Sequence, residues 1–267
     1  MIKTLLIFIR DKFMIIRFRK RAIVALLLAF NFPTHADEYK FYSAAGIKLP
    51  VIELSQIFLL KEPKVLISND FDTAGAAEKK FIADEKSTCL ITTKFRIDKA
   101  IREGVLKGDP PISLVDTLAG VAYSGSQNLQ INSAEDLKKI LLEVRSIAFS
   151  DPSKGATVGL HFLSVIKKLG IEKEALQKSL MTDDGVQTMK LVISKKVDLG
   201  ITQVSEIVQA DASTLLGPFP KEFELSSRYA LWCRDFKDEG VLKWIELLKS
   251  KNGEETFLRH GLRPVKN

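Results

Sequence analysis

The stretch that most constrains this chain is residues 147–171, IAFSDPSKGATVGLHFLSVIKKLGI. Ile147, Ala148 and Phe149 form a short apolar run bounded by polar residues, which reads as a buried strand. Asp151-Pro152 opens a turn, and Ser153, Lys154 and Gly155 continue it. From about Ala156, apolar residues recur at helical spacing: Val158, Phe162, Val165, Ile166 and Leu169. Gly170 is placed to cap that helix in a left-handed conformation. The order is strand, polar loop, helix start. It points unpaired backbone N–H groups and the positive end of a helix dipole at whatever lies above the strand, an arrangement that suits an anion. An ordinary βα connection has the same order without a ligand, so this stretch constrains the fold before it constrains the function.

The same alternation runs along the chain. Strands are expected at 39–43 (YKFYS), 64–68 (KVLIS), 88–92 (TCLIT), 120–123, 147–149, 196–201 (KVDLGI) and 228–233 (RYALWC). Between them, one helix carries Leu49, Ile52, Ile57 and Phe58, with Pro50 in its first turn. Others cover 76–82 and 97–106. Ser133 caps another, with Asp136 three residues on and Leu137, Ile140, Leu141 and Val144 on its apolar side. Short helices are expected over 172–180 and 187–194, one begins at Gln203, one covers 241–248, and the last ends at Gly261. Strands alternating with helices argue for a mainly parallel α/β sheet. There is no internal repeat, low-complexity tract or long linker.

The chain begins with a different kind of segment. Arg17, Arg19, Lys20 and Arg21 precede an apolar run over 22–30 that is too short to span a bilayer, and Thr34-His35-Ala36 resembles a cleavage site. Residues 1–36 therefore read as a secretory signal peptide, with Met14 an alternative start, and the mature protein is expected in the periplasm. This segment also explains the charge. The chain holds 40 Lys+Arg against 33 Asp+Glu; removing residues 1–36 leaves 33 against 32. The basic excess belongs to the leader and is no footprint of nucleic-acid binding. Two cysteines remain, Cys89 and Cys233. They can pair in an oxidising compartment, but each lies in an apolar strand-like run, which tilts the reading toward buried free thiols.

Residues for catalysis are scarce. Outside the leader, the histidines are His161, inside a helix, and His260, near the chain end. Residues 120–125 (GVAYSG) do not make a nucleophile elbow. Asp183-Asp184 and Asp235/Asp238 lie in turn-rich segments and read as solvated loop acids. No phosphate loop, dinucleotide fingerprint or metal-ligand spacing is present, so no catalytic residue, metal or cofactor is expected. What recurs is a helix start made of small and hydroxyl residues. It occurs at Ser43-Ala44-Ala45-Gly46, Thr73-Ala74-Gly75-Ala76, Gly155-Ala156-Thr157 and Asp184-Gly185-Val186. Small side chains let backbone N–H groups approach a ligand, and in open α/β sheets ligands sit beyond the carboxyl ends of strands.

With these segments in their order, the chain resembles the molybdate-binding, type II periplasmic substrate-binding proteins of ABC importers. The residues that carry the resemblance are FYSAAG (41–46), FDTAGAAEKKF (71–81), DPSKGATVGLHF (151–162), VDLGITQVSEI (197–207), LLGPFP (215–220), RYALWC (228–233) and HGLRP (260–264). The resemblance implies an α/β fold of two lobes joined by two crossover strands near 120–123 and 229–232, with a ligand cleft between the lobes. Residues 37–119 would begin lobe 1, 120–227 form lobe 2, and 228–267 hold the crossover strand and the return to lobe 1.

By motif, the resemblance places Ser43, Ala44, Ala45, Gly46, Thr73, Ala74 and Gly75 on the first side of the cleft. Ala156, Thr157, Gly185 and Val186 fall on the second. Thr73 is expected to give the ligand its hydroxyl. Where molybdate binders have a tyrosine after the Gly-Ile of the late strand, this chain has Gln203, whose amide both donates and accepts and so favours a protonated or mixed ligand over molybdate. The implied function is that of a monomeric periplasmic receptor that captures a small anion for the membrane permease of an ABC importer. A receptor for a membrane signalling partner and a secreted enzyme on the same scaffold are the alternatives.

Overall fold

The computed structural model describes residues 37–265; the expected signal peptide lies outside them. In chain order, β1 (Asp37–Ala44) passes through a 3-10 turn (Ala45–Ile47) into α1 (Lys48–Lys61). Then come β2 (Val65–Asp72), α2 (Ala74–Ala83), β3 (Cys89–Thr93), α3 (Lys94–Arg102) and β4 (Ile112–Tyr123). The next elements are α4 (Ala134–Glu143), β5 (Ile147–Ser150), α5 (Thr157–Lys168), α6 (Glu172–Gln177), β6 (Ser179–Thr182), α7 (Gly185–Ile193) and β7 (Leu199–Gln203). The last are α8 (Val204–Asp211), β8 (Leu215–Pro218), β9 (Ser226–Cys233), α9 (Glu239–Lys249), α10 (Lys251–Arg259) and β10 (Arg263–Pro264). None of the described helices is long and apolar enough to cross a membrane.

The strands hydrogen-bond in the order β2-β1-β3-β9-β4-β7-β5-β6, with β8 and β10 also on β4. β1 runs parallel to β2 and β3, and β5 runs parallel to β6 and β7. Both groups meet β4, which changes partner midway. Its residues 112–118 pair antiparallel with β9, and 119–123 pair antiparallel with β7. The change falls between Leu118 and Ala119, just before residues 120–123. The chain returns beside it, where Ala119 N–H donates to Leu225 O at 2.9 Å. That return also precedes residues 229–232, which pair wholly within the first group.

Each group of strands has its own apolar core. Trp244 lies at the centre of the first, stacked on Phe41 at 5.2 Å and edge-on to Phe58 at 5.7 Å. Phe149 and Phe162, 5.0 Å apart, lie in the second with Ile147, Val165 and Ile201. Two cores on one shared strand make a two-lobed α/β fold. Helix ends follow the local chemistry: Ser133 Oγ accepts from Asp136 N–H at 3.1 Å, and Gly170 has φ +67° after α5.

The structure corrects three readings. Cys89 and Cys233 are not free thiols; they form a disulfide between β3 and β9. The two residues face each other directly in the antiparallel register, with Cα atoms 4.1 Å apart. Burial argues equally for a thiol and a bridge, and only the register separates the two. Residues 172–180 are not one helix, because Ser179–Thr182 is an edge strand. Its Leu180 and Met181 are exposed, so no buried run announces it. β4 is also three times the length read from 120–123, because Asp116 interrupts its apolar pattern.

Candidate functional site

Between the two groups of strands lies a small cavity of about 30 Å³. Helix and turn starts surround it. Ala44, Ala45 and Gly46 come from the 3-10 turn after β1, and Thr73 and Ala74 from the start of α2. Ala156, Thr157 and Val158 begin α5, Gly185 begins α7, and Gln203 and Glu206 belong to the first turn of α8. Ser150, Thr202 and Tyr229 complete the lining.

The first N–H groups of a helix have no intrahelical partner, and here several helices aim theirs at one place. Side chains take some of them. Thr73 accepts from Ala76 N–H at the head of α2, and Asp184 accepts from Gln187 N–H at the head of α7. The N-cap of α5 is Ala156, whose methyl group can accept no hydrogen bond. Among the described residues, no lysine or arginine lines the cavity. Its polar character comes from backbone donors, hydroxyls, one amide and one carboxyl.

That carboxyl is Glu206. It is 8 % exposed, and its Oε2 accepts from the Thr202 hydroxyl and, at 3.2 Å, from Gln203 N–H. Burial pushes its pKa up to about 7, against the pull of those two hydrogen bonds, and the charge of Asp184 adds to the rise. Gly185 lies so close that a Cβ there would collide with both Glu206 and Thr202, which accounts for glycine at the head of α7. Tyr229 is also buried. Burial and then the neighbouring Glu206 hold its phenol far above the ordinary range, so it stays a donor.

The two sides touch at the cleft edge. Gly75 N–H donates to Gly155 O at 3.3 Å, Arg96 Nη2 donates to the same oxygen at 3.3 Å, and the Thr73 hydroxyl donates to Lys154 O. Gly155 has φ +79°, and a Cβ on it would meet Gly75 Cα. Only glycine meets both demands.

The sequence-derived residues therefore divide. Ala44, Ala45, Gly46, Thr73, Ala74, Ala156, Thr157, Gly185 and Gln203 come together around the cavity, whereas Ser43, Gly75 and Val186 do not line it. Ser43 is fully buried with its Oγ unpartnered, and Gly75 serves the contact with Gly155. Thr73 differs in use: its hydroxyl caps α2 and donates to Lys154, which occupies the donor expected for a ligand. Tyr229, on β9, lines the cavity as well.

Ser150, Val158, Thr202, Glu206 and Tyr229 were missed. Ser150 and Thr202 sit at the carboxyl ends of β5 and β7, where the strand-end rule would have found them. Glu206 follows Gln203 by three residues, the capping-box spacing. No local signal marks Tyr229. The remaining singled-out residues have structural uses. His161 Nε2 meets Phe223 O at 2.8 Å, and His260 meets Glu53 at 3.1 Å. Asp238 caps α9 and accepts from Tyr39, and Asp183 pairs with Lys154.

Residues 39–263 match the family model for bacterial extracellular solute-binding proteins. The chain belongs to that family. Among curated proteins, none matches the sequence. Solved structures share the fold of this solute-binding protein at low identity. The Azotobacter vinelandii periplasmic molybdate-binding protein is 15% identical with TM-score 0.70, covering 86% of this chain and 99% of its own. A Clostridium perfringens substrate-binding protein solved with bound phosphate is 15% identical with TM-score 0.63, covering 86% and 100%. The sulfate-binding protein SubI of Mycobacterium tuberculosis is 13% identical with TM-score 0.61, covering 86% and 88%. The type II periplasmic binding-protein fold expected of this chain is thus present.

Because the Thr73 hydroxyl is spent on α2 and Lys154, Thr73→Ala in this solute-binding protein is expected to cost roughly 0.5–2 kcal/mol of stability. Affinity for any ligand should change less than tenfold. Thr73→Ser should restore the stability. Denaturant melts and calorimetric titration of the three proteins check this; a hundredfold loss of affinity in Thr73→Ala would return the hydroxyl to the ligand.

Proposed function

We propose that this solute-binding protein captures a small oxyanion in the periplasm and passes it to the membrane permease of an ABC importer. The observation that carries the reading is the convergence of helix starts on one cavity without a cation. Such a site binds an anion through neutral donors: the N–H groups after Ala44, Ala156 and Gly185, with the Thr157 and Tyr229 hydroxyls. Its volume, room for two or three waters at roughly 10–15 Å³ each, favours an ion over a sugar or peptide. Molybdate, sulfate and phosphate, named for the three relatives above, are of this size class.

In this reading residues 37–119 and 228–267 form one lobe and 120–227 the other. Residues 1–36 direct export and are removed, and the mature protein acts as a monomer. Capture rather than catalysis is supported by the lining, whose titratable side chains are Glu206 and Tyr229, with no histidine, lysine or cysteine.

The test is a thermal-shift screen of molybdate, sulfate, phosphate and small organic acids. A bound ligand at about a hundred times its dissociation constant adds ~2.7 kcal/mol of stability. An oxyanion is expected to raise the melting temperature, with neutral sugars and amino acids inert. A response to the neutral compounds alone would defeat the reading.

A further inference from the structure

We propose that Glu206 makes this cleft select oxyanions that carry their own proton, such as hydrogen phosphate or a phosphonate, over fully deprotonated ones such as sulfate. The inference rests on the anion-capture reading and names the ligand class for it.

Two acceptors carry it. Glu206 lines the cavity, and its Oε2 already takes the Thr202 hydroxyl and Gln203 N–H. Its Oε1 takes no donor from the described residues. Gln203 also lines the cavity and is 5 % exposed. Its Nε2 donates to Ser227 Oγ at 3.0 Å, which leaves Oε1 buried without a donor. A cleft built only for a bare oxyanion needs donors alone. This one sets a carboxyl in the lining, beside a glutamine whose carbonyl oxygen is buried without a donor, and a buried acceptor without a donor is costly.

A ligand hydroxyl supplies the missing proton while the ligand's other oxygens take the N–H groups. An ammonium ligand would also satisfy the acceptors, but it would face the positive ends of α5 and α7. A bare dianion meets a like charge unless Glu206 first takes up a proton. Hydrogen phosphate brings that proton with it.

The groups around Glu206 do not neutralise it. The charge of Asp184, at the head of α7, disfavours its ionised form, and Tyr229 on β9 is held unionised by burial. On β4, Asp116 is held by Arg228, and Lys190 on α7 points to solvent. Burial lifts the Glu206 pKa to about 7, which puts the proton exchange near neutrality.

The experiment is calorimetric titration of the full mature protein with phosphate, sulfate and molybdate at about pH 6 and about pH 8.5. Wild type and Glu206→Gln are compared, with a circular-dichroism check on folding. At the higher pH, wild type is expected to bind phosphate at least tenfold tighter than sulfate. Lowering the pH should raise sulfate affinity by roughly thirtyfold, since Glu206 then supplies the proton. In Glu206→Gln, sulfate affinity should no longer depend on pH, and the preference should fall below tenfold. A wild-type preference below tenfold at the higher pH, or sulfate affinity unchanged between the two, overturns the proposal without needing the variant. Binding without discrimination removes only the role of Glu206. If none of the three anions binds wild type at either pH, the anion reading falls and this inference with it.

Discussion

Reducing the Cys89–Cys233 disulfide is expected to cost about 4 kcal/mol of stability, within a range of roughly 2–5 kcal/mol. The bridge closes a loop of 144 residues, and the chain entropy removed from the unfolded state grows with loop length. The enclosed segment runs from α3 through β8 and holds the whole second core. The bond also staples β3 to β9, in the middle of the strand order. Neither cysteine touches the cavity, so ligand affinity measured well below the melting temperature should hold within a few-fold. Urea unfolding with and without reductant measures the effect. A Cys89→Ala/Cys233→Ala pair separates loss of the bridge from side effects of the reductant. A loss under about 1 kcal/mol in both would mean that the unfolded chain gains little freedom from opening this loop.

The Cys89–Cys233 disulfide marks how far the sequence alone reaches. β3, β5 and β7 are buried along their whole length and were legible as apolar runs. β6 at the sheet edge was not, since Leu180 and Met181 face out. Whether Cys89 meets Cys233 depends on the register of two strands far apart in sequence, and no local pattern encodes that. The site divides in the same way. Small residues at helix starts announced Ala44, Ala74, Ala156 and Gly185, because close backbone approach needs small side chains wherever it occurs. Tyr229 could not be found, because RYALWC gives no sign of which segments its strand will face. Thr73 was legible as a cap and as a donor alike. Its partner Lys154 lies 81 residues away, and no local pattern encodes that contact.

Glu206 should also leave a mark on stability, whatever ligand the cleft takes. In the unfolded chain its carboxyl titrates near 4.5; in the folded protein burial lifts it to about 7. Between these values folding takes up a proton that the unfolded chain does not hold. The stability tied to Glu206 is therefore fully present below about pH 4.5 and is lost as pH rises through 7. Each pKa unit corresponds to 1.36 kcal/mol, so the loss is about 3 kcal/mol. Above that window the folded state carries a buried carboxylate held, among the described residues, by Thr202 and Gln203. Glu206→Gln keeps the shape and removes the titration. The variant is expected to gain about 3 kcal/mol relative to wild type between roughly pH 4.5 and 8. Comparing the two proteins at each pH cancels the titration of every group they share. Urea unfolding at half-unit steps across that range gives the difference curve. A flat curve would place the folded-state titration of Glu206 at its ordinary value, and the carboxyl would then be ionised and hydrated in the cleft. A curve that rises to about neutrality and then levels off would show that Glu206 exchanges its cavity proton near the pH where the protein must choose among anions.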